Sequence, residues 1–378
     1  MQSTHKFNMT VKIAFFLPSL EGAGAEKVLA TLANSFVRRG YEIDFVLSSA
    51  KGPFLSNLDP QIKIINLERT HVIDSFFSLG NYLRSQKPQV MISGLSNANL
   101  AALAAGRLFS PSCKVIITQH SNWSQKLANN PTRKEQLVFQ LSRFLYPFAA
   151  RIVAVSSITA EEIKHTFRIN PKKVLFIYNP VVTQELIDKS RQSVNHRWLN
   201  HKTVPVVLGA GRLIKSKDFN TLIQAFAIVL KKIDCRMLII GEGPEHQNLQ
   251  NLIQNSGLCE KIELLGFVPN PYPFMTQADL FVLSSLNEGL PTVLIEALAC
   301  GTTVVSTDCL SGPAEILDDG KYGSLVPIQA PETLSEAVIE SLRHPKNKDL
   351  LTERAAFFSV ENASKAYLDL IEQVLVEK

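Results

Sequence analysis

The sequence lacks the features of several specialised protein classes. Its 378 residues contain only 18 Gly and 19 Pro, which is typical of an ordered globular protein, and no internal repeat or low-complexity tract is visible. The 5 cysteines are an odd number, and none has the C-x-x-C spacing of a metal site. We therefore expect reduced, mostly buried thiols and a cytosolic protein. These cysteines are Cys113, Cys235, Cys259, Cys300 and Cys309.

Long apolar runs and one-sided charge are also absent. Nowhere do about eighteen apolar residues follow one another, so we expect no membrane-spanning helix, and any membrane contact would be peripheral. The apolar run 13–17 is short and has no clear cleavage site after it, so it predicts a buried strand instead of a signal peptide. The net charge is +5 and the basic residues form no runs, which disfavours a nucleic-acid-binding protein.

What the sequence does contain is an alternation of short apolar runs with longer amphipathic stretches. This alternation is typical of parallel βαβ units, and the length predicts about two domains. The predicted strands are Lys12–Leu17, Glu42–Leu47, Lys63–Leu67, Gln89–Ser93, Lys114–Thr118, Arg151–Val155, Val174–Tyr178, Pro205–Ala210, Arg236–Gly241, Lys261–Leu265, Asp279–Ser284, Thr302–Ser306 and Ser324–Val326. The predicted fold class is therefore α/β, with two doubly wound, Rossmann-like domains.

A polar stretch at 181–203, which has few strand-forming residues, interrupts the alternation. We place the domain boundary there, with one domain at 1–185 and the other at 200–359. The last amphipathic helix, at about 360–378, could pack on either domain as judged from its pattern. Open parallel sheets bind ligands beyond the carboxyl ends of their strands. The residues that carry the chemistry should therefore lie in loops that directly follow strands.

Two such loops contain glycines or cations. Gly22 and Gly24 follow the first strand, where they let the backbone approach a ligand and the helix start attract an anion. The third glycine of a dinucleotide fingerprint is missing, so a plain tight turn is an equal alternative. Arg212 and Lys217 follow the first strand of the second domain and could converge on one diphosphate. A solvated basic turn is the alternative for this pair.

A third loop combines two carboxylates with a helix start. Pro291 is predicted at the first helical position, which leaves the amides of Thr292 and the next residue free to face an anion. Glu296 comes eight residues after Glu288 and lies in an otherwise apolar run. Because a half-buried carboxylate needs a partner, we favour a functional role for Glu296 over that of an ordinary surface acid.

Other strand ends give weaker signals. His120 ends a strand of the first domain and could donate to a substrate oxygen, although a lone histidine is more often structural. Ser156 and Asn179 follow later strands and could line a cleft or cap a helix. The run 318–320, Asp-Asp-Gly, predicts a turn instead of a metal site. The sequence contains no P-loop, G-x-S-x-G or H-E-x-x-H motif.

Taken in order, these loops resemble glycosyltransferase family 4, whose members have the two-domain GT-B architecture. The most specific piece is the E-x7-E segment Glu288–Glu296 with its continuation through Val305, and Gly241–Pro244 accompanies it. Two segments depart from the usual pattern. Gly22–Glu26 lacks the adjacent glycines of many relatives, and Ser311–Glu315 replaces the commoner double-glycine turn, a variant similar to transferases that assemble bacterial surface glycans.

The resemblance implies roles for the matching residues. Arg212 and Lys217 would hold the donor diphosphate, Glu288 would lie near the transferred sugar, and Glu296 would bind the ribose hydroxyls. The other implied donor contacts are Gly22, Gly24, Gly241, Phe267, Val268, Leu290, Pro291 and Thr292, and His120 would touch the sugar. The implied catalytic set is Glu288, His120, Arg212 and Lys217. The resemblance also implies retention of anomeric configuration and a final helix that crosses back to the first domain.

This family reading predicts a nucleotide-sugar donor, most readily a UDP-sugar, and no cofactor or metal. Two cations and a helix start aimed at the leaving diphosphate supply the stabilisation that a metal would otherwise give. A nucleotide-sugar epimerase and a non-catalytic nucleotide-sugar sensor remain as alternatives. The epimerase would need acid and base groups on the sugar that the sequence does not reveal, and the sensor would need no acceptor site.

The acceptor is predicted from the basic and aromatic stretch Lys126–Arg151. Its residues would form either a helix that touches an anionic bilayer or a core helix with a basic outer face. We expect a glycan or a polyprenyl-diphosphate-linked sugar as acceptor, in the synthesis of cell-surface polysaccharide or glycoconjugate. The enzyme would then work in the cytoplasm or as a peripheral protein at the inner face of the plasma membrane.

Overall fold

The computed structural model describes residues 11–21, 24–120, 122–128 and 131–377. The described part divides into two compact units: Met1–Pro180 with Val360–Lys378, and Val181–Ser359. Residues 181–185, predicted in the first domain, belong to the second unit, where the amides of Val181 and Val182 donate to the Phe358 carbonyl. Gly22, one of the predicted donor contacts, lies outside the described residues.

The first unit contains a seven-stranded parallel sheet in its described residues, in the order β3-β2-β1-β4-β5-β6-β7. Its strands are β1 Lys12–Leu17, β2 Glu42–Leu47, β3 Lys63–Asn66, β4 Val90–Gly94, β5 Lys114–Gln119, β6 Arg151–Ala154 and β7 Val174–Phe176. Strand β1 is buried on both faces, and its side chains alternate between the cores on the two sides of the sheet. Phe15 packs into the core beside the first helix, whereas Phe16 packs into the core on the other face.

Helices cover both faces of this sheet. They are α1 Gly24–Val37, α2 Phe76–Gln86, α3 Ser96–Phe109, α4 Trp123–Ala128, α5 Arg133–Leu145, α6 Ser157–Phe167 and, from the end of the chain, α16 Val360–Val376. Tyr367, Leu368 and Ile371 of α16 are buried in the same core as Phe36 of α1. The sequence pattern left the partner of this helix open, and the return to the first unit, which the family resemblance implied, is confirmed.

The second unit contains a six-stranded parallel sheet in the order β10-β9-β8-β11-β12-β13. Its strands are β8 Val206–Ala210, β9 Arg236–Ile240, β10 Ile262–Gly266, β11 Leu280–Leu283, β12 Val304–Thr307 and β13 Ser324–Val326. Its helices are α7 Gln184–Ser190, α8 Arg197–Asn200, α9 Phe219–Val229, α10 His246–Asn255, α11 Tyr272–Gln277, α12 Thr292–Ala299, α13 Pro313–Leu317, α14 Pro331–Arg343 and α15 Lys348–Ala356. The prediction of two doubly wound α/β domains is confirmed.

Strand order determines where a site can form in the second unit. The chain runs outward from β8 to β10 on one side and from β11 to β13 on the other, so β8 and β11 are neighbours at the point where the order reverses. Loops that leave the carboxyl ends of two such strands diverge and open a crevice. One loop, which carries both Arg212 and Lys217, follows β8, and the loop that carries Glu288 follows β11.

Most of the cysteine side chains lie inside the two units. Cys113, Cys235, Cys300 and Cys309 are buried and Cys259 is exposed, and all five are free thiols in the structure, so the prediction of mostly buried cysteines is confirmed. Among the described helices, none is both long enough and apolar enough to span a bilayer.

Candidate active site

An ion pair joins the two loops at the crevice between β8 and β11. The Lys217 ammonium lies 2.5 Å from Oε1 of Glu288. Only 20% of the Lys217 side chain and 13% of the Glu288 side chain are exposed. Both groups were predicted as site residues from separate motifs, 71 positions apart in the sequence. The structure brings them together as one charged unit that is largely shielded from solvent.

Serine hydroxyls fix the two loops that carry this pair. Ser285 donates to the Glu288 carboxylate at 2.7 Å, and Ser311 donates to the Glu288 main-chain oxygen at 2.5 Å. Ser284 donates to the Lys217 main-chain oxygen at 2.9 Å. Such hydrogen bonds fix the positions of the two charged side chains relative to each other. The three serines were not predicted as site residues, because a single hydroxyl after a strand has no distinctive spacing.

Helix α12 begins beside the ion pair. The prediction that Pro291 is its first residue was wrong by one position, because Pro291 has an extended ψ of 94° and precedes the helix as its N-cap. Within the described residues the amides of Thr292 and Val293 donate to no protein acceptor, and the first backbone bond of the helix runs from the Leu294 amide to the Pro291 oxygen. Two free amides therefore begin α12, as expected for an anion-binding helix start.

Glycines allow close backbone approaches around the crevice. Gly241, at φ +142°, follows β9, and a Cβ there would lie 1.9 Å from the Gly211 oxygen. Gly312, at φ +95°, begins the turn into α13, and a Cβ there would lie 2.4 Å from Cδ of Pro291. The segment 311–315, where the sequence departs from the family pattern, thus supports the loop before α12.

The two outer predicted contacts differ in their surroundings. Arg212 is exposed, and its guanidinium has no hydrogen-bond or ion-pair partner among the described residues. Glu296 is half-buried, as predicted, and accepts a long hydrogen bond of 3.4 Å from the Tyr272 hydroxyl. It lies four residues after Thr292, so both side chains project from one face of α12. Tyr272 was not predicted, because nothing in its local sequence links it to Glu296.

Phe267 and Val268 directly follow β10, next to the Gly241 loop. The Gly241 amide donates to the Gly266 oxygen at 2.8 Å, which fixes the two strand ends side by side. The Phe267 ring is 70% exposed, and an exposed aromatic ring at the open edge of a sheet offers a surface for stacking. Leu290, the predicted contact in the loop before α12, is buried.

Two buried thiols adjoin the site. Burial raises the pKa of Cys309 to about 12, and the Glu288 carboxylate adds to this shift. Burial also raises the pKa of Cys300 to about 11, with a smaller contribution from Glu296. Both thiols are therefore protonated at neutral pH and act as apolar packing groups. Among the described residues no group of three His, Cys, Asp or Glu side chains is placed to hold a metal.

The remaining predicted residues lie in the first unit. His120 directly follows β5, and its Nε2 lies 2.9 Å from the Thr118 hydroxyl. Gly24 begins α1, and a Cβ there would meet nothing within 4 Å. Ser156 caps α6 by accepting from the Thr159 amide, so of the two roles left open for it the structure shows the capping role.

Comparison with known sequences and structures identifies the family. The profile for glycosyl transferases group 1 matches residues 191–356, and the profile for glycosyltransferase family 4 matches residues 22–185. An N-acetylgalactosamine-N,N'-diacetylbacillosaminyl-diphospho-undecaprenol 4-alpha-N-acetylgalactosaminyltransferase of Campylobacter jejuni is 30% identical over 91% of this chain and 93% of its own. The chain belongs to glycosyltransferase family 4.

Two further comparisons agree with this assignment. A second Campylobacter jejuni enzyme, a GalNAc-alpha-(1->4)-GalNAc-alpha-(1->3)-diNAcBac-PP-undecaprenol alpha-1,4-N-acetyl-D-galactosaminyltransferase, is 28% identical over 96% of this chain and 99% of its own. A glycosyltransferase structure from Rickettsia africae, 18% identical, superposes with a TM-score of 0.82 over 98% of this chain and all of that one. This family 4 member is therefore a glycosyltransferase with the GT-B fold, and the two Campylobacter jejuni enzymes are named for undecaprenol-linked glycans.

Proposed function

We propose that this glycosyltransferase transfers a hexosyl or N-acetylhexosaminyl group from a UDP-sugar, with retention, to a polyprenyl-diphosphate-linked acceptor. The observation that carries the proposal is the crevice between β8 and β11. There the Lys217–Glu288 ion pair joins the loop after β8 to the loop before α12. Among the described residues, the first two amides of α12 and the Arg212 guanidinium, which follows the same strand as Lys217, have no protein partner. The undecaprenol-linked glycans for which the two Campylobacter relatives are named support the acceptor class.

The chemistry of transfer places charge on the leaving diphosphate. As the glycosyl–phosphate bond breaks, the β-phosphate gains negative charge, which Arg212, Lys217 and the start of α12 stabilise. Removing one such preorganised group is expected to cost roughly two to three orders of magnitude in rate. We assign no carboxylate as a nucleophile. The acceptor hydroxyl would attack from the side that the diphosphate leaves, within an ion pair, and no metal or cofactor takes part.

The other site residues would position the donor. Glu296 would accept hydrogen bonds from the ribose hydroxyls, since its carboxylate lies one turn along α12 from Thr292. Phe267 and Val268 would lie near the base, and Gly241 would let the backbone approach it. Glu288 and His120 would contact the transferred sugar. In this proposal the second unit binds the donor and the first binds the acceptor, at a cytoplasmic membrane surface.

The direct test is release of nucleoside diphosphate from a panel of UDP- and GDP-sugars, with and without a polyprenyl-diphosphate-linked acceptor. We expect acceptor-dependent release from one UDP-sugar, a product with retained configuration by NMR, and loss of turnover in Arg212→Ala and Glu296→Ala. Lys321→Ala, an exposed cation distant in sequence from the site, is the matched control for Arg212→Ala. EDTA should leave the rate unchanged.

Three outcomes would contradict the proposal in different ways. Tight donor binding without turnover on any acceptor would indicate a nucleotide-sugar sensor. Conversion of the donor to its epimer without acceptor would indicate an epimerase. Inversion at the anomeric carbon would contradict the front-face mechanism while leaving the transferase assignment in place.

A further inference from the structure

The charge of the first unit is concentrated in one segment of the chain. Residues 75–160 contain nine lysines and arginines but a single acid, Glu135, a net charge of +8. The whole chain carries +5, so the remaining residues sum to −3. Glu135 itself is held in the capping box with Thr132 at the start of α5. This basic segment includes α2, α3 and α5, which pack in one core on the same face of the sheet.

A cavity of about 570 Å³ opens at the amino ends of β5, β6 and β7. Its lining includes Arg107, Lys114, Arg151, Lys173 and Glu377. Lys114 begins β5, whereas His120 directly follows that strand at its other end. A six-residue strand is roughly 20 Å long. This basic cavity therefore lies at the amino ends of the strands, about that far from the carboxyl ends where ligands of such sheets bind. It therefore lies at the opposite end of β5 from His120.

The cations of the basic cavity are held in place by surrounding groups. Arg151 pairs with the Glu377 carboxylate, and the Lys114 ammonium donates to the Glu377 main-chain oxygen at 2.9 Å. Lys173 donates to the main-chain oxygens of residues 147 and 149. The Arg107 guanidinium stacks 4.1 Å from the centre of the Phe148 ring. One carboxylate among four cations leaves a net positive lining that favours an anion.

Exposed apolar side chains lie on α3 and α5, and one of them contacts a residue that lines this cavity. Phe148 lines it, and its ring packs edge-on against Phe144 at 6.1 Å. Phe144 is 70% exposed and Leu108, which follows Arg107 in α3, is 64% exposed. Leu137 and Leu141 of α5 are also exposed. Leu141 comes four residues after Leu137 and three before Phe144, so the three side chains share one helix face. Exposed apolar groups around a basic pocket are typical of membrane-binding surfaces.

We propose that the basic cavity binds the phosphate of an anionic phospholipid headgroup while Leu108, Leu141 and Phe144 enter the acyl boundary of the bilayer. The charge of the basic segment complements the negative surface of such a membrane. A nucleic acid or a soluble phosphate would use the cations but would leave the apolar row in water. This inference rests on the proposed function, because a polyprenyl-linked acceptor lies in a bilayer, and it assigns the surface by which the enzyme reaches it.

The test is sedimentation of the full chain with phosphatidylcholine vesicles that contain zero or 30% phosphatidylglycerol. We expect binding only to the anionic vesicles, a loss of about fivefold in Arg107→Gln and at least tenfold in Arg107→Gln/Phe144→Ser. Arg38→Gln and Phe357→Ser, each at an exposed side chain outside the basic segment, are the matched controls and should bind as the wild type does. Transfer to a water-soluble acceptor should be unchanged in all four variants.

Each arm has an outcome that overturns the inference. No binding to anionic vesicles, or equal losses in the control variants, would remove the assignment of this surface. Binding to double-stranded DNA as strong as to vesicles, without dependence on Phe144, would assign the cavity to soluble polyanions instead. Vesicle binding without transfer to any acceptor would contradict the proposed function alone, and transfer to soluble acceptor without vesicle binding would contradict this inference alone.

Discussion

Replacing Glu288 by Gln should strengthen the binding of the product UDP while it slows transfer. In the free protein the Glu288 carboxylate lies 2.5 Å from the Lys217 ammonium and neutralises it. A diphosphate on Lys217 would lie roughly 5 Å from that carboxylate and be repelled by it. For two unit charges at an effective dielectric constant of about 20, the repulsion is about 3 kcal/mol. Its removal should tighten UDP binding roughly a hundredfold.

The same change should reduce kcat, because Glu288 is proposed to contact the transferred sugar. Gln keeps an oxygen for the Ser285 hydroxyl, so the loop should keep its conformation. Loss of the ion pair should destabilise the fold by about 1–2 kcal/mol, between the values for exposed and fully buried pairs. Glu353→Gln, at an exposed carboxylate on α15, makes the same change in net charge and serves as the control.

Calorimetric titration with UDP at low and moderate salt measures the affinity, and steady-state kinetics measures kcat. The gain in affinity should shrink little with salt, because the pair is largely shielded from solvent. An unchanged or weaker UDP affinity in Glu288→Gln, with an unfolding midpoint close to that of the control, would refute the reasoning. It would mean that Lys217 does not face the diphosphate.

Four further predictions concern the frame of the site and the thiols. Gly241→Ala should cost about 3 kcal/mol or more in urea unfolding, because its Cβ would lie 1.9 Å from the Gly211 oxygen, whereas Gly24→Ala, with nothing within 4 Å, should stay within about 0.5 kcal/mol. Ser311→Ala should cost about 1 kcal/mol and raise the KM for the donor, since the Glu288 main chain loses a hydrogen bond; an unchanged KM would contradict this. At pH 8 a thiol reagent should label one cysteine, Cys259, in the native chain and all five after unfolding. Burial raises the pKa values of Cys113, Cys235, Cys300 and Cys309, so stability should fall as the pH rises from about 9 toward 12, and an unchanged unfolding midpoint over that range would contradict this.

The sequence predicted the strands well because both sheets are parallel and buried. Residues such as Ile13 and Val207 lie in short, continuous apolar runs. Such runs are typical of strands in a sheet that is covered on both faces. Helix α16 was predicted from its apolar periodicity at about 360–378, and the structure has it at Val360–Val376. Its partner was not predictable from that pattern, because the periodicity of a helix does not specify which core receives its apolar face.

The candidate site was only partly predictable. Lys217 and Glu288 were proposed from their loops, but their ion pair joins residues 71 positions apart, and only the adjacency of β8 and β11 places them together. Ser311 and Tyr272 reach the site through long-range contacts that no local spacing encodes. The start of α12 was placed one residue early, since a proline fixes φ but not ψ, and the extended ψ of Pro291 keeps it outside the helix.

The basic surface of the first unit shows why a search for charge runs fails here. The lysines and arginines of residues 75–160 are spread at ordinary density, and Arg133 and Lys134 are the one pair of neighbours among them. What distinguishes the segment is the lack of acids, with Glu135 alone among its 86 positions. A surface potential depends on the sum of both signs, so removing carboxylates raises it as effectively as adding cations. The outer surface of the helices in residues 75–160 is therefore basic, although none of these helices contains a basic motif.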